Sequence, residues 1–195
     1  SELVCTSIGG SPIHEGHTRI IQGCKPIVFN KFVIPRHSEH YKKNPNSGFL
    51  ISNVKLLVIV NSDDFLLRKH GFVFQNENSR AEIIDSIKGV DYTYIHHSDG
   101  QSVVDALAYF KPKYFCKGGD RSGPEFMPAN ELKICEEIGC TIVYGVGGTD
   151  KVSSSSDLMK SCAKHYLFEK YADDWLSKED INTLIQCEYP KFKSV

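Results

Sequence analysis

Ile8-Gly9-Gly10-Ser11-Pro12-Ile13-His14-Glu15-Gly16-His17 follows a short apolar run, Leu3-Val4-Cys5, and leads into Thr18-Arg19-Ile20-Ile21. It reads as a buried first strand, a glycine turn, and a helix whose first turn carries two histidines. Histidines three apart share one side of a helix, so both imidazoles can reach a single ligand. A polyphosphate is the natural candidate. The helix start offers unpaired N–H groups and a partial positive charge, and the preceding glycines let backbone approach an anion. Gly16, between the histidines, leaves room for a nucleobase or ribose against the backbone. A chance pairing of histidines behind an ordinary capped helix is the competing explanation.

At 195 residues the chain is one domain, or one domain with an appendage, long enough to bury a core. Its 23 basic and 24 acidic residues give a formal charge of -1, which argues against bulk electrostatic binding to nucleic acid or membranes. Any anion site must therefore be local. Seven cysteines, at 5, 24, 116, 135, 140, 162 and 187, contain no CxxC pair, and several sit in apolar runs. That pattern suits a reducing compartment and argues against a zinc ribbon. With no signal-peptide pattern and no apolar run approaching about eighteen residues, a soluble, cytoplasmic protein is expected.

Downstream, strand-like and helix-like segments alternate. A helix is expected near residues 17–24. Residues 25–53 read as an insertion, with apolar runs at Ile27-Val28-Phe29 and Phe32-Val33-Ile34, a basic segment from Arg36 to Lys43, and a loop at Asn44-Pro45-Asn46-Ser47-Gly48. Its cations could form a flap over a phosphate, or simply a solvated face. Lys55 to Val60 is a central parallel strand ending in Asn61-Ser62-Asp63-Asp64, and a short helix closes at Gly71. Asn78 and Ser79 can cap a helix over 80–88, and Val90 to Ile95 is the next strand. The adjacent His96 and His97 at its end should point opposite ways. A helix over 101–110, a strand at Tyr114-Phe115-Cys116, a helix over 129–138 stopped by Gly139, and a strand at Thr141 to Tyr144 complete the pattern. A glycine run and four serines, 153–156, precede another helical segment.

Such alternation predicts an α/β fold, a Rossmann-like, doubly wound, parallel five-stranded sheet, because parallel strands need crossovers and those are right-handed. Ligands bind such sheets beyond the carboxyl ends of the strands. Asp63, the 117–121 segment and the glycine-serine run all follow strands directly, so they should meet His14 and His17 on one rim.

The ordered set comprises the HxGH element at 14–17, Asn61-Ser62-Asp63 followed by Arg68-Lys69-His70-Gly71, the Arg80 helix, Val90-Asp91, Lys117-Gly118-Gly119-Asp120 and Lys151 to Ser156. It resembles the cytidylyltransferase-like nucleotidylyltransferases, especially their glycerol-3-phosphate cytidylyltransferase and heptose-phosphate adenylyltransferase branches. The resemblance spans residues 3–160. It implies transfer of a nucleotidyl group from ATP or CTP to a sugar phosphate or polyol phosphate, with release of pyrophosphate and with Mg2+ on the leaving group. His14 and His17 would then donate to the triphosphate around the α-phosphorus, and Lys69 would help neutralise it. Ile8, Gly9, Gly10, Gly16, Lys117, Gly118, Gly119, Asp120 and Val152 would hold the nucleotide, and Ser153, Ser154, Ser155 and Ser156 would grip its β and γ phosphates. Asp63, Arg80, Arg121 and Lys151 would face the acceptor. No side chain is assigned as a metal ligand, and a homodimer would be common for the family.

Some positions depart from the family pattern. Gly10 and Ser11 stand where an aromatic residue and an acidic one or Asn are usual. Gly148 replaces an arginine of the glycerol-phosphate branch, leaving Lys151 as the nearby cation. The Lys-Gly-Gly-Asp form is closer to the heptose-phosphate branch and tilts the donor toward ATP. Other readings stay open: Asp63 as a helix cap, Arg80 as an exposed helix cation, the serines as a flexible linker. On these departures the alternative function is an inactive nucleotide-binding sensor of the same fold. A metalloprotein using His14, His17 and a cysteine lacks ligand spacing. Residues 1–160 would form the nucleotidylyltransferase domain and 161–195 a helical extension. There Tyr166, Leu167, Phe168, Tyr171 and Trp175 suit packing on the sheet or a second subunit, and Ser177-Lys178-Glu179-Asp180 suits a helix start with Asp in the capping box.

Overall fold

The computed structural model describes residues 2–27, 54–100, 102–119, 121–148, 154–171, 177 and 179–183. The insertion expected at 25–53, beyond residue 27, and Trp175 lie outside the described residues. Five strands form one sheet: β1 (Glu2–Ile8), β2 (Val54–Asn61), β3 (Tyr92–His96), β4 (Tyr114–Gly118) and β5 (Thr141–Val146). Their order is β3-β2-β1-β4-β5 and every pair is parallel, which is the doubly wound arrangement expected. The connecting helices are α1 (Glu15–Ile27), α2 (Asp63–His70), α3 (Glu77–Asp85), α4 (Val104–Phe110) and α5 (Ala129–Glu137), and α6 (Ser155–Tyr171) follows β5. Helix α6 runs without a break through residue 160, the boundary assigned to the core.

The side-chain period of two divides the apolar strands between two cores. Val4, Leu56, Val58 and Val60 point to one face and pack with Ile21 and Cys24 of α1 and Ile84 of α3. Cys5, Leu57, Ile59 and Phe115 point to the other and pack with Ala106 and Leu107 of α4 and Cys135 of α5. Strand β2 is apolar at successive positions because both of its faces are covered, as in other parallel sheets.

Several element boundaries differ from the sequence expectation for local polar reasons. Helix α2 starts at Asp63 because Ser62, not Asp63, caps it: the Ser62 hydroxyl accepts from the Phe65 amide at 3.2 Å. Helix α3 begins three residues before Arg80, capped by Asn76, whose side chain accepts from the Ser79 amide at 2.9 Å. Val90 is not in a strand. The Asp91 carboxylate takes the Leu56 amide at 2.8 Å and the Lys55 ammonium at 3.2 Å, so pairing of β3 begins at Tyr92. Strand β5 extends beyond Tyr144 to Val146 through a register shift opposite Cys116–Gly118, with Gly145 at φ 68°. At the end of β3, His96 is buried and His97 turns outward to Glu77 at 2.7 Å, the opposed placement expected.

In the tail, Tyr166 is exposed, while Ser177 and Asp180 form the expected capping box, the Asp180 carboxylate accepting the Ser177 hydroxyl and amide. Leu57 is 1% exposed in the middle of the sheet. Leu57→Ala is expected to lower the unfolding free energy by about 2–5 kcal/mol, read from urea denaturation at unchanged m-value.

Candidate functional site

The loop after β1 is shaped by Gly10, at φ 65°, where an added Cβ would stand 3.0 Å from Ile13 Cγ1. The loop reaches His14, which lies one residue before α1, not within its first turn, and caps it: the His14 carbonyl accepts from the His17 amide at 2.9 Å. Main-chain amides fix both rings. His14 Nδ1 accepts from the Gly16 amide at 3.1 Å, and His17 Nδ1 accepts from the His14 amide at 3.2 Å. A ring nitrogen that accepts carries no proton, so each neutral imidazole keeps its hydrogen on Nε2 and has a donor left for a ligand. The ring centroids are 4.0 Å apart. Burial holds the His14 pKa below 6.5, and burial together with the neighbouring His14 ring takes His17 down to about 4. Both rings are therefore neutral donors at physiological pH.

Four further segments surround this pair. At the end of β4, Lys117 lies 4.1 Å from the Phe115 ring centroid and donates to Glu131 at 2.8 Å, while Glu131 also accepts from the Val103 amide at 3.2 Å. At the end of β5, Gly147, φ 89°, presses on α1: an added Cβ would come 2.9 Å from the Arg19 carbonyl carbon. Ser154 caps α6 through a capping box with Asp157, accepting its amide at 3.1 Å and donating to its carboxylate at 2.6 Å. The Ser155 hydroxyl donates to the Pro12 carbonyl at 2.8 Å. This last bond brings the start of α6 against the histidine loop, two residues from His14. From α2, Lys69 faces the same space.

Together these segments enclose a cavity of about 560 Å³, within the usual range for small-molecule sites. Of the residues singled out in the sequence, Ile8, Gly9, Gly10, His14, Gly16, His17, Lys69, Lys117, Gly118, Gly119, Arg121, Ser154, Ser155 and Ser156 line it. Asp120, Lys151, Val152 and Ser153 lie outside the described residues.

The burial of Arg80 corrects both the expectation that it faces the acceptor and the reading of it as an exposed helix cation; its partner Asp63, with a partly exposed carboxylate, is not among the residues that line the cavity. Arg80 is 0% exposed. Its guanidinium donates to the carbonyls of Gly9 and Asn61, each at 2.7 Å, and of Gln75 at 2.8 Å, and to the Asp63 carboxylate at 2.6 Å. It braces the rim from below. Ser11, one of the departures from the family pattern, also serves the fold: its hydroxyl accepts from the Phe74 amide at 2.8 Å and the Gln75 amide at 3.3 Å. Two lining residues that the sequence reading passed over are Arg19 and Glu131. Arg19 was detectable as the residue three beyond Gly16 on one helix face. Glu131 gave no local signal.

No family model matches the chain, and no curated protein does. Among solved structures the fold is similar to that of the lipopolysaccharide core biosynthesis protein from Thermoplasma volcanium, with a TM-score of 0.51 and 20% identity over 76% of this chain and 98% of that one. That likeness shows the α/β fold. Among the described residues, no helix is long and apolar enough to cross a membrane.

Replacing Arg80 by lysine removes a fork that no ammonium reproduces and leaves buried carbonyls unpaired; Arg80→Lys is expected to cost about 2–4 kcal/mol in chemical denaturation. The His17 ring refuses a proton that the unfolded chain accepts below its ordinary value of 6.5. Its contribution to stability is therefore complete above pH 6.5 and falls as pH drops toward about 4. Titration of the His17 ring followed by NMR should show a midpoint near 4, and a midpoint at 6 or above would contradict the geometry.

Proposed function

We propose that the protein is a nucleotidylyltransferase, passing a nucleotidyl group from ATP or CTP to a sugar phosphate or polyol phosphate and releasing pyrophosphate. The observation that carries this reading is the Ser155 to Pro12 hydrogen bond, at 2.8 Å, which joins the starts of two helices around one cavity. A helix start carries the positive end of its dipole, and here two of them flank two neutral imidazole donors, a setting suited to a polyanion. The description of the structural neighbour as a lipopolysaccharide core biosynthesis protein favours a sugar phosphate as the acceptor.

In the proposed reaction an oxygen of the acceptor phosphate attacks the α-phosphorus in line. The bond from that phosphorus to the α,β-bridging oxygen breaks, and pyrophosphate departs with the electron pair. No covalent enzyme intermediate is needed; the work is positioning and charge stabilisation. His14 and His17 donate from Nε2 to oxygens on the α-phosphorus as negative charge gathers there, and Lys69 adds a formal positive charge. Gly118 and Gly119 leave space for base and ribose.

Among the described residues the side chains do not furnish a cage for Mg2+. Glu131, the carboxylate on the cavity wall, is engaged by Lys117 and the Val103 amide, and among the described residues no three acidic, histidine or cysteine side chains cluster as ligands. Magnesium would enter on the phosphates, and no step here is assigned to it.

His14→Ala is expected to lower turnover by about a hundred- to a thousandfold while the protein stays folded. Pyrophosphate release would be measured with ATP or CTP and a panel of sugar and polyol phosphates. A variant as active as the parent would overturn the assignment. Tight nucleotide binding without turnover across the panel would instead identify the sensor.

A further inference from the structure

A nucleoside triphosphate brings about four negative charges, and the two imidazoles meet it uncharged. The protein's own formal positive charge must come from other side chains on the cavity wall. Lys117 is already neutralised by Glu131 at 2.8 Å, and the Arg121 guanidinium donates to the Phe126 carbonyl. Arg19 lines the same cavity, is exposed, and its side chain makes no hydrogen bond or ion pair among the described residues. Glu15, four residues earlier on α1 and correctly spaced to pair with it, does not do so.

The position of Arg19 on the helix indicates where its charge falls. Long helical side chains lie back over the turn N-terminal to their own Cα, and three residues before Arg19 that turn offers Gly16, which has no side chain. The guanidinium is thus carried back toward the end of α1 where His14 and His17 stand. Gly147 packs on the Arg19 main chain, where an added Cβ would sit 2.9 Å from the Arg19 carbonyl carbon, so this stretch of α1 is braced against the exit of β5. Ser154 to Ser156 open onto the same cavity.

We infer that Arg19 is a polyphosphate ligand, its planar fork taking two non-bridging oxygens at the β,γ end of the bound nucleotide. The imidazoles take the α-phosphate, so the two contacts divide the chain of phosphates between them. This assignment rests on the nucleotidylyltransferase reading above and adds to it a residue that the HxGH element does not contain.

Calorimetry of the full chain with the tri-, di- and monophosphates of adenosine and cytidine, at fixed ionic strength with magnesium, tests it. Arg19→Ala should weaken the triphosphate by about ten- to a hundredfold and leave the monophosphate nearly unchanged, with Arg19→Lys recovering part of the loss. Unaltered triphosphate affinity in Arg19→Ala overturns the assignment. An equal loss across the phosphate series also overturns it, since the contact would then be to the nucleoside or to the fold. If the unsubstituted protein binds none of these nucleotides, the nucleotidylyltransferase reading itself fails, an outcome that no result on Arg19→Ala can imitate.

Discussion

A fully buried guanidinium holds the rim of this molecule together. Arg80 ties the main chain at the ends of β1 and β2 and in the loop before α3, while the Asp63 carboxylate supplies its counter-charge. A cation out of water is tolerable only when paired and hydrogen-bonded, so the three carbonyls and the carboxylate have to stay where they are. The glycine turn that leads to His14 hangs from one of those carbonyls, that of Gly9. The geometry of the imidazoles is in this sense set from beneath, by a residue that never reaches the cavity.

Above that brace, charge is kept off the centre of the site and placed around it. Backbone amides hold both histidines in the form that donates from Nε2, and burial keeps them neutral. Lys117 is matched by Glu131 in a nearly dry contact, which leaves the start of the Gly118–Gly119 turn without net charge. Lys69 and Arg19 supply cationic character from the α2 and α1 sides. Uncharged donors at the middle with cations at the margin suit a ligand whose negative charge is spread along a chain of phosphates.

The alternation of apolar runs with amphipathic helices made the sheet legible, because parallel strands covered on both faces leave a continuous hydrophobic signature like that of residues 55–60. The convergence on one rim followed from topology alone. What the sequence could not display was the environment of Arg80. Two of its partners, Gly9 and Asn61, lie 71 and 19 residues away along the chain, and a helix cation looks the same in sequence whether buried or solvated. Cap positions were missed by one residue at Ser62 and by two or three at Asn76, since neighbouring Asp, Asn and Ser residues compete for the same amides. Ser11 looked like a lost family feature, yet its hydroxyl anchors the loop at Phe74 and Gln75, a role visible only once the two segments are adjacent.

The contact of Gly147 with α1 makes two distant parts of the chain mechanically one. Gly23 faces the same junction from the helix side, where an added Cβ would lie 2.9 Å from Val146 Cγ1 and 3.0 Å from the Gly147 nitrogen. Apart from the Val146 side chain the contact is backbone on backbone, with little compliant material to absorb a displacement, so a shift at the end of β5 passes to the rod that bears His17. Ligand entering beside the last strand would be felt at the imidazoles as a rigid tilt.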